Sequence, residues 1–352
     1  MDNEFWHNRN VFITGHTGFK GGWLSLWLHS LGAKLCGYSL NPCTKPSFFE
    51  VCCLGELFDS DSRSDIRNYQ ALALDLNRSN AEIVFHLAAQ PLVRESYHAP
   101  VDTFSTNLMG TVNLLEAIRR SSTVKVVVII TTDKCYENKE FGKSFSENDP
   151  MGGDDPYSAS KACAELATTA YRQSFLAKSA IQVATARAGN VIGGGDWSAD
   201  RLIPDFFRSI DAGQQLIIRS PNAIRPWQHV LEPISGYITL AEKLYHEESV
   251  YASAWNFGPE DNDAQEVSWL ADRMCQKFET GSWRVETDTD SPKEAGILRL
   301  DSSKSKKLLG WRPKWNLGTA LDNTMEWQSS YNSGDNMREF SLNQIQSYST
   351  SL

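Results

Sequence analysis

The apolar positions of this chain fall into two repeating patterns. Val11-Phe12-Ile13-Thr14 is a short β-branched run that ends in glycines and predicts a strand. Trp23, Leu24, Trp27, Leu28 and Leu31 then recur at helical spacing, with Gly32 where a helix would stop. Further apolar runs at 34–38, 83–87, 124–130 and 181–186 predict four more strands, and Leu108, Val112, Leu115 and Ile118 form a helical stripe. Strands apolar on both faces, alternating with helices, predict an α/β fold with a doubly wound parallel sheet. After about residue 190 the pattern changes. Gly193-Gly194-Gly195 and Pro204, Pro221, Pro226 and Pro233 cut the chain into shorter elements, predicting a smaller mixed α/β lobe. The expected division is 1–190 and 191–352, interleaved, with some segments of the second part returning to the first. The Ser- and Asn-rich tail beyond about residue 333 is expected to pack loosely.

With 41% hydrophobic and 22% charged residues in 352, the chain can build a buried core. The net charge of −9 argues against a general nucleic-acid binder, whose affinity rests on neutralising phosphates. No apolar run reaches the roughly 18 to 20 residues of a membrane span, and residues 1–9 lack a signal-like apolar segment, so the expected location is cytoplasmic. The seven cysteines are scattered without CxxC spacing and read as free thiols. His86 and His229 read as structural, and no metal is expected.

Gly15-His16-Thr17-Gly18-Phe19-Lys20-Gly21 spaces three glycines between the first strand and the first helix. Such a turn lets backbone approach a pyrophosphate closely and aims free N–H groups at it. By itself it could equally be a turn that packs helix on strand; its strand–turn–helix setting favours a dinucleotide site. Gly15, Thr17, Gly18, Phe19, Lys20 and Gly21 are the expected cradle. The acid that usually ends the second strand and holds the adenosine ribose is missing from Gly37-Tyr38-Ser39-Leu40-Asn41-Pro42. Ser39 is left to hold the ribose, which predicts modest affinity, and the absence of an Arg there favours NAD over NADP. Asp65 and Ile66 are expected beside the adenine.

Tyr157 and Lys161 stand at i and i+4, on one helical face. An ammonium beside a phenol favours the phenolate and suits the pair to acid–base work. The spacing means little alone, but it follows the glycine loop and the strand that ends at Thr132. The matching stretches are Gly15–Gly21 with Gly22-Trp23, then Ala88-Ala89-Gln90-Pro91-Leu92-Val93-Arg94 and Thr131-Thr132-Asp133-Lys134-Cys135-Tyr136. They continue with Tyr157/Lys161, the run Arg187-Ala188-Gly189-Asn190-Val191-Ile192 through Trp197, Arg225-Pro226-Trp227-Gln228-His229-Val230, and Trp255-Asn256-Phe257-Gly258. Together they resemble the extended short-chain dehydrogenase/reductase family, over residues 10–327, and within it the sugar-nucleotide 4,6-dehydratases.

The resemblance implies a Rossmann-type sheet, NAD as cofactor with Ala88, Ala89 and Gln90 also lining its site, and a substrate-binding second lobe. It implies a redox-neutral cycle on CDP-glucose. Tyr157 takes the C4 hydroxyl proton as hydride leaves C4, the C5 proton becomes acidic, water leaves across C5–C6, and the hydride returns to C6. The product is a 4-keto-6-deoxy sugar nucleotide, used for deoxysugars of a surface polysaccharide such as O-antigen. Thr132 would bond the C4 oxygen and Asp133 would protonate the departing C6 hydroxyl. Related dehydratases carry Glu where this chain has Lys134. Lys134 could be the C5 base as a neutral amine, or could stay charged and stabilise the enolate. In water the Asp133–Lys134 ion pair is favoured over its neutral form by about 9 kcal/mol, and burial narrows that gap. For the substrate, the resemblance points to Asn190, Arg201 and Arg225 at the diphosphate, with Asn256, Arg299 and Ser96 as weaker candidates.

Two other readings stand beside this one. A nucleotide-sugar 4-epimerase would share Tyr157, Lys161 and NAD but would need no acid at position 133. A non-catalytic NAD- or sugar-nucleotide-binding module would not need Thr132, Tyr157 and Lys161 together. Helices near 101–121 and 157–174 are expected to form the interface of a homodimer or homotetramer, as in similar proteins.

Overall fold

The computed structural model describes residues 2–139, 142–177, 179–278, 281–286 and 296–351. Its centre is a seven-stranded sheet: β1 (Asn10–Thr14), β2 (Lys34–Ser39), β3 (Phe58–Arg63), β4 (Ile83–His86), β5 (Val126–Ile130), β6 (Gln182–Ala188) and β7 (Ala254–Phe257). The spatial order is β3-β2-β1-β4-β5-β6-β7, and every neighbouring pair is parallel. The order reverses direction between β1 and β4, the switch point where doubly wound sheets open a crevice at their C-terminal ends.

Strand alternation explains the two apolar faces. Val11 and Ile13 of β1 join one core cluster with Ile83, Phe85, Val126 and Val128, packed under α1 (Phe19–Ser30). Phe12, Val84, Val127 and Ile129 point the other way, onto Leu72 and Leu76 of α2 (Tyr69–Ser79) and Leu114 and Ile118 of α3 (Gly110–Arg119). Each fully buried side chain of this kind stabilises by about 1.5–3 kcal/mol, which is why continuous apolar runs are legible as two-faced strands. The helix α4 (Pro156–Tyr171) packs beside α3. A third core lies off the sheet, where α5 (Leu202–Asp211) and α7 (Leu317–Ser333) gather Ile203, Phe206, Leu317 and Met325 around Ile218 and Trp227. Between them in sequence, α6 (Leu231–Glu247) and β7 return to the main sheet.

Three details differ from the sequence reading. β3 is an unanticipated strand: Phe58-Asp59-Ser60-Asp61-Ser62-Arg63 is polar because it is the sheet's edge and only half covered. The buried face of the 105–119 segment is Asn107, Gly110, Thr111, Leu114, Leu115, Ala117 and Ile118; Leu108 and Val112 are only half-buried. A widened turn at Ser105–Met109 precedes α3, and polar Asn107 and Thr111 are acceptable inside because each is hydrogen-bonded, to Ser160 and His86 among others. The tail is not loose. It forms α8 (Met337–Thr350), whose Met337, Ser341, Gln344, Ile345 and Tyr348 make a buried stripe. The small and polar members of that stripe hid it from an apolar count. Among the described residues no helix is long and apolar enough to cross a membrane.

Glu232 of α6 anchors this tail. Its buried carboxyl accepts bonds from the backbone N–H of Trp315 (2.8 Å) and Lys314 (3.1 Å) and from the Tyr348 hydroxyl (2.5 Å). Burial nevertheless pushes its pKa up from 4.5 to about 7. A carboxyl that binds its proton more tightly folded than unfolded gives stability that is full below the unfolded pKa and is lost as pH rises through the folded one. Between about pH 5 and about pH 8 the protein is therefore expected to lose roughly 3 kcal/mol of unfolding free energy relative to Glu232→Gln. Urea unfolding at a series of pH values checks this; parallel curves for the two proteins would refute it.

Candidate active site

A cavity of about 980 Å³ opens at the C-terminal ends of β1, β2, β4, β5 and β6 and extends under the second lobe. The glycine loop forms its floor. Gly15 has φ +75°, and a Cβ there would lie 2.6 Å from the Ala88 nitrogen; a Cβ on Gly21 would lie 2.2 Å from the Gly15 carbonyl oxygen. Both positions are closed to any other residue, and the loop they permit leads into the N-terminus of α1. Gly18, Phe19 and Lys20 also border the cavity. Lys20 is half-buried there, with its ammonium 5.9 Å from the Tyr237 ring centre, and burial pushes its pKa down to about 7. His16 faces away and meets Asp61 of β3 at 2.8 Å.

At the end of β2 the Ser39 hydroxyl lies 2.8 Å from the Thr17 hydroxyl, which also donates to the Leu40 carbonyl at 3.0 Å. Ser39 thus ties the strand end to the glycine loop. Asp65 and Ile66 border the cavity, but the Asp65 carboxylate is engaged by Arg67 (2.6 Å). Ala88, Ala89 and Gln90 line the wall beyond β4. The Gln90 side chain is spent on holding that loop, donating to Thr103 (2.9 Å) and the Leu92 carbonyl (3.0 Å).

Thr132, Asp133, Lys134, Tyr157 and Lys161 converge on the far wall. Thr132 ends the β5 segment and starts a tight turn, Asp133–Cys135. Its hydroxyl donates to Asp133 Oδ1 at 3.1 Å and also contacts the Tyr157 phenol. Asp133 is buried, and its Oδ2 has no hydrogen-bond partner among the described residues. Burial raises its pKa, against the opposing charge of Lys134 and the Thr132 bond. Asp155 caps α4, accepting from the Ser158 N–H at 2.9 Å, and so fixes the turn that carries Tyr157. Burial pushes Tyr157 up to about 12 and Lys161 down to about 8; the Lys161 ammonium donates to the Ile130 carbonyl at 3.2 Å.

The substrate candidates divide. Asn190, Arg201 and Arg225 border the cavity. Arg201 pairs with Asp196 at 2.8 Å, and Arg225 is buried, donating to the carbonyls of Ile224 (3.0 Å) and Gly296 (3.2 Å). Ser96, Asn256 and Arg299 do not border it. The Ser96 hydroxyl turns onto the Val93 carbonyl at 2.6 Å. Asn256 is fully buried, accepting from Tyr136 (2.7 Å) and donating to the Phe145 carbonyl (2.8 Å), so it braces the fold. Arg299 offers its backbone carbonyl to the Phe145 N–H (2.9 Å). The sequence reading missed Arg94, Asp200 and Arg219 at the cavity mouth, where Asp200 pairs with Arg94 at 2.9 Å and Arg219 at 3.3 Å. Arg94 stood inside a quoted stretch; three partners so far apart in the chain carried no shared signal.

His86 bonds Thr14 (2.7 Å) and Thr111 (3.0 Å), and burial pushes it and His229 down to about 3. Both are buried imidazoles of the core. Among the described residues no group of three His, Cys, Asp or Glu could hold a metal.

The profile of the GDP-mannose 4,6 dehydratase family matches residues 12–324. A CDP-glucose 4,6-dehydratase of Salmonella typhimurium is 48% identical over 99% of this chain and 98% of its own length. Among solved structures, dTDP-glucose 4,6-dehydratase from Bacillus anthracis superposes with a TM-score of 0.74 at 20% identity, covering 92% of this chain and 97% of that one. UDP-glucose 4-epimerase from Thermotoga maritima superposes at 0.77 and 20% identity, covering 92% and 99%. At these identities the superpositions establish the shared Rossmann-type fold.

The closed space at Gly21 makes a direct test of the loop. Gly21→Ala is expected to weaken NAD binding by at least about tenfold, because the new methyl must displace the Gly15 backbone that shapes the cradle. Isothermal titration with NAD, alongside circular dichroism to show the fold is retained, checks it; unchanged affinity would mean the loop does not hold the dinucleotide.

Proposed function

The chain belongs to the GDP-mannose 4,6 dehydratase family, and we propose that it is an NAD-dependent hydro-lyase that removes water from CDP-glucose to give CDP-4-keto-6-deoxyglucose. The observation that carries this reading is Asp133: a buried carboxyl with one oxygen unpartnered, at the cavity wall, beside Thr132 and Tyr157. Elimination of water needs a proton donor for the departing hydroxyl, and burial shifts this carboxyl toward that role by raising its pKa. The near-full-length relative supports the choice of CDP-glucose.

NAD fits the glycine loop, Ser39 and the Asp65–Ile66 wall, and when bound it supplies a hydride acceptor that later acts as donor. Tyr157 takes the C4 hydroxyl proton. The Lys161 ammonium, one helical turn on, stabilises the phenolate that Tyr157 must become. Thr132 holds the Tyr157 oxygen and would bond the sugar's C4 oxygen. Asp133 gives its proton to the C6 oxygen as it departs, so that water leaves, and its new negative charge is met by Lys134 and Arg225. Lys134, which lines the wall next to Asp133, would act at C5: as a neutral amine it takes the C5 proton, or as an ammonium it holds the enolate while water takes that proton. Asn190, Arg201 and Arg225 offer donors to the diphosphate. A 4-epimerase expels no water and needs no acid at position 133, which favours the dehydratase.

The protein is read as cytoplasmic, where its nucleotide substrate and free cysteines belong. Exposed Val101, Met109, Leu166 and Phe175 on the 100–119 and 156–176 helices support a dimer through these faces. Light scattering is expected to give twice the chain mass or a multiple of it; a monomer would exclude this surface as an interface.

Incubation with NAD and CDP-glucose, dTDP-glucose or GDP-mannose separately, in D2O, tests the reaction. Loss of one water mass with one deuterium gained, from CDP-glucose alone, is the expected result. An isomer of unchanged mass would mean an epimerase, and no conversion of any substrate a binding module. Asp133→Asn is expected to cut kcat by about 10²–10⁴-fold while CDP-glucose still binds.

A further inference from the structure

Below the catalytic pair lies a buried ion pair that the reaction above does not use. Glu165 sits one helical turn beyond Lys161 on α4, and Arg187 lies on β6; both are almost fully buried, and they meet at 2.8 Å. Glu165 Oε1 accepts from the Thr131 hydroxyl (2.5 Å) and Arg187 Nε (2.9 Å), and Oε2 from the Thr185 hydroxyl (2.7 Å) and Arg187 Nη2 (2.8 Å). Arg187 Nη1 goes on to the Tyr136 hydroxyl (2.8 Å) and the Glu147 carbonyl (3.2 Å). The carboxylate therefore touches the residue before Thr132, and its partner touches the residue that closes the Asp133–Cys135 turn.

We propose that Glu165 is a positioning residue: its carboxylate is the fixed counter-charge of the Lys161 ammonium, and it clamps the Thr131–Thr132 strand end onto the catalytic helix. A buried ammonium with only a backbone carbonyl as partner tends to lose its proton, and neutral Lys161 cannot stabilise a phenolate. The charged and titratable groups facing Lys161 are Lys20 from the glycine loop, His86 from β4, Cys135 from the turn, and Tyr157 and Glu165 on its own helix. Burial holds His86 neutral, and both burial and neighbouring charge hold the Cys135 thiol protonated, which leaves Glu165 as the anion. Around Glu165 stand Arg187, Arg172 and Cys135. Glu165 stands one helical turn from Lys161, and an opposite charge nearby raises an ammonium's pKa.

This inference rests on the Tyr157–Lys161 reading above, and its test separates the two. Glu165→Gln alone would leave Arg187 buried without its counter-ion, so the informative variant is Glu165→Gln with Arg187→Met. Competitive acetylation of the free protein with acetic anhydride across pH, read by mass spectrometry at Lys161, gives the titration midpoint of that lysine without substrate. The midpoint is expected to fall in the double variant, by less than about one pH unit because the opposing Arg187 charge is lost with that of Glu165, and the alkaline limb of kcat to fall with it, while KM for CDP-glucose changes less than about threefold. A double variant with lower Tm but an unmoved Lys161 midpoint would overturn the proposal. Failure of the wild type to convert CDP-glucose would instead sink the dehydratase reading and leave the Lys161 titration to decide this one.

Discussion

Taking a carboxyl group out of water forces a choice between keeping its proton and finding partners, and this site contains one group of each kind. Asp133 is buried with one oxygen unpartnered among the described residues, and burial raises its pKa; Glu165 is buried with hydrogen bonds to both oxygens, which lower its pKa and keep it charged. The two lie on either side of Thr131–Thr132 and share that strand end, Glu165 through Thr131 and Asp133 through Thr132. One environment makes a proton donor and the other a fixed negative charge, from side chains of almost equal intrinsic acidity. Moving either group toward solvent would erase the difference, so the close packing of α4 on β5 and β6 is a chemical requirement as well as a mechanical one.

The parallel sheet was legible because its strands are apolar on both faces, and the glycine loop because only glycine fits at Gly15 and Gly21. The Tyr157–Lys161 pair was legible from helical spacing combined with its place after β5. What escaped had no local signal. β3 is polar because an edge strand buries little. α8 buries Ser341 and Gln344 beside Ile345 and Tyr348, so apolar periodicity undercounts it. Asn256 and Ser96 carry side chains that suit a ligand, yet their polar atoms are already satisfied inside the protein, which no single-residue reading reveals. The same holds in reverse for Arg94, Asp200 and Arg219, which look like separate surface charges until the fold brings them to one mouth.

The β2 end shows how a missing residue is absorbed. Without an acid there, the Ser39 hydroxyl couples to Thr17 and Thr17 to the Leu40 carbonyl, so the strand end and the glycine loop are one hydrogen-bonded unit. Behind the loop, His16 meets Asp61 on the neighbouring strand, and Gly37 leaves the room that the His16 ring needs. The loop is thereby held from both sides by neutral or self-compensating groups. Less of its shape depends on a bound ribose, and less binding energy is available from one, which is the physical basis for expecting modest affinity.

An acidic chain that takes a nucleoside diphosphate must concentrate its cations. Lys20, Lys134, Lys161, Arg201 and Arg225 all face this one cavity, where Arg201 pairs with Asp196 at 2.8 Å. Burial drives Lys20 and Lys161 toward neutrality, and for Lys20 the charges of Arg201 and Lys161 add to it. A dianionic ligand reverses that pressure, since each ammonium it approaches gains a counter-charge and binds its proton more firmly. Ligand charge would thus act on Lys161 in the same sense as the counter-charge proposed for Glu165.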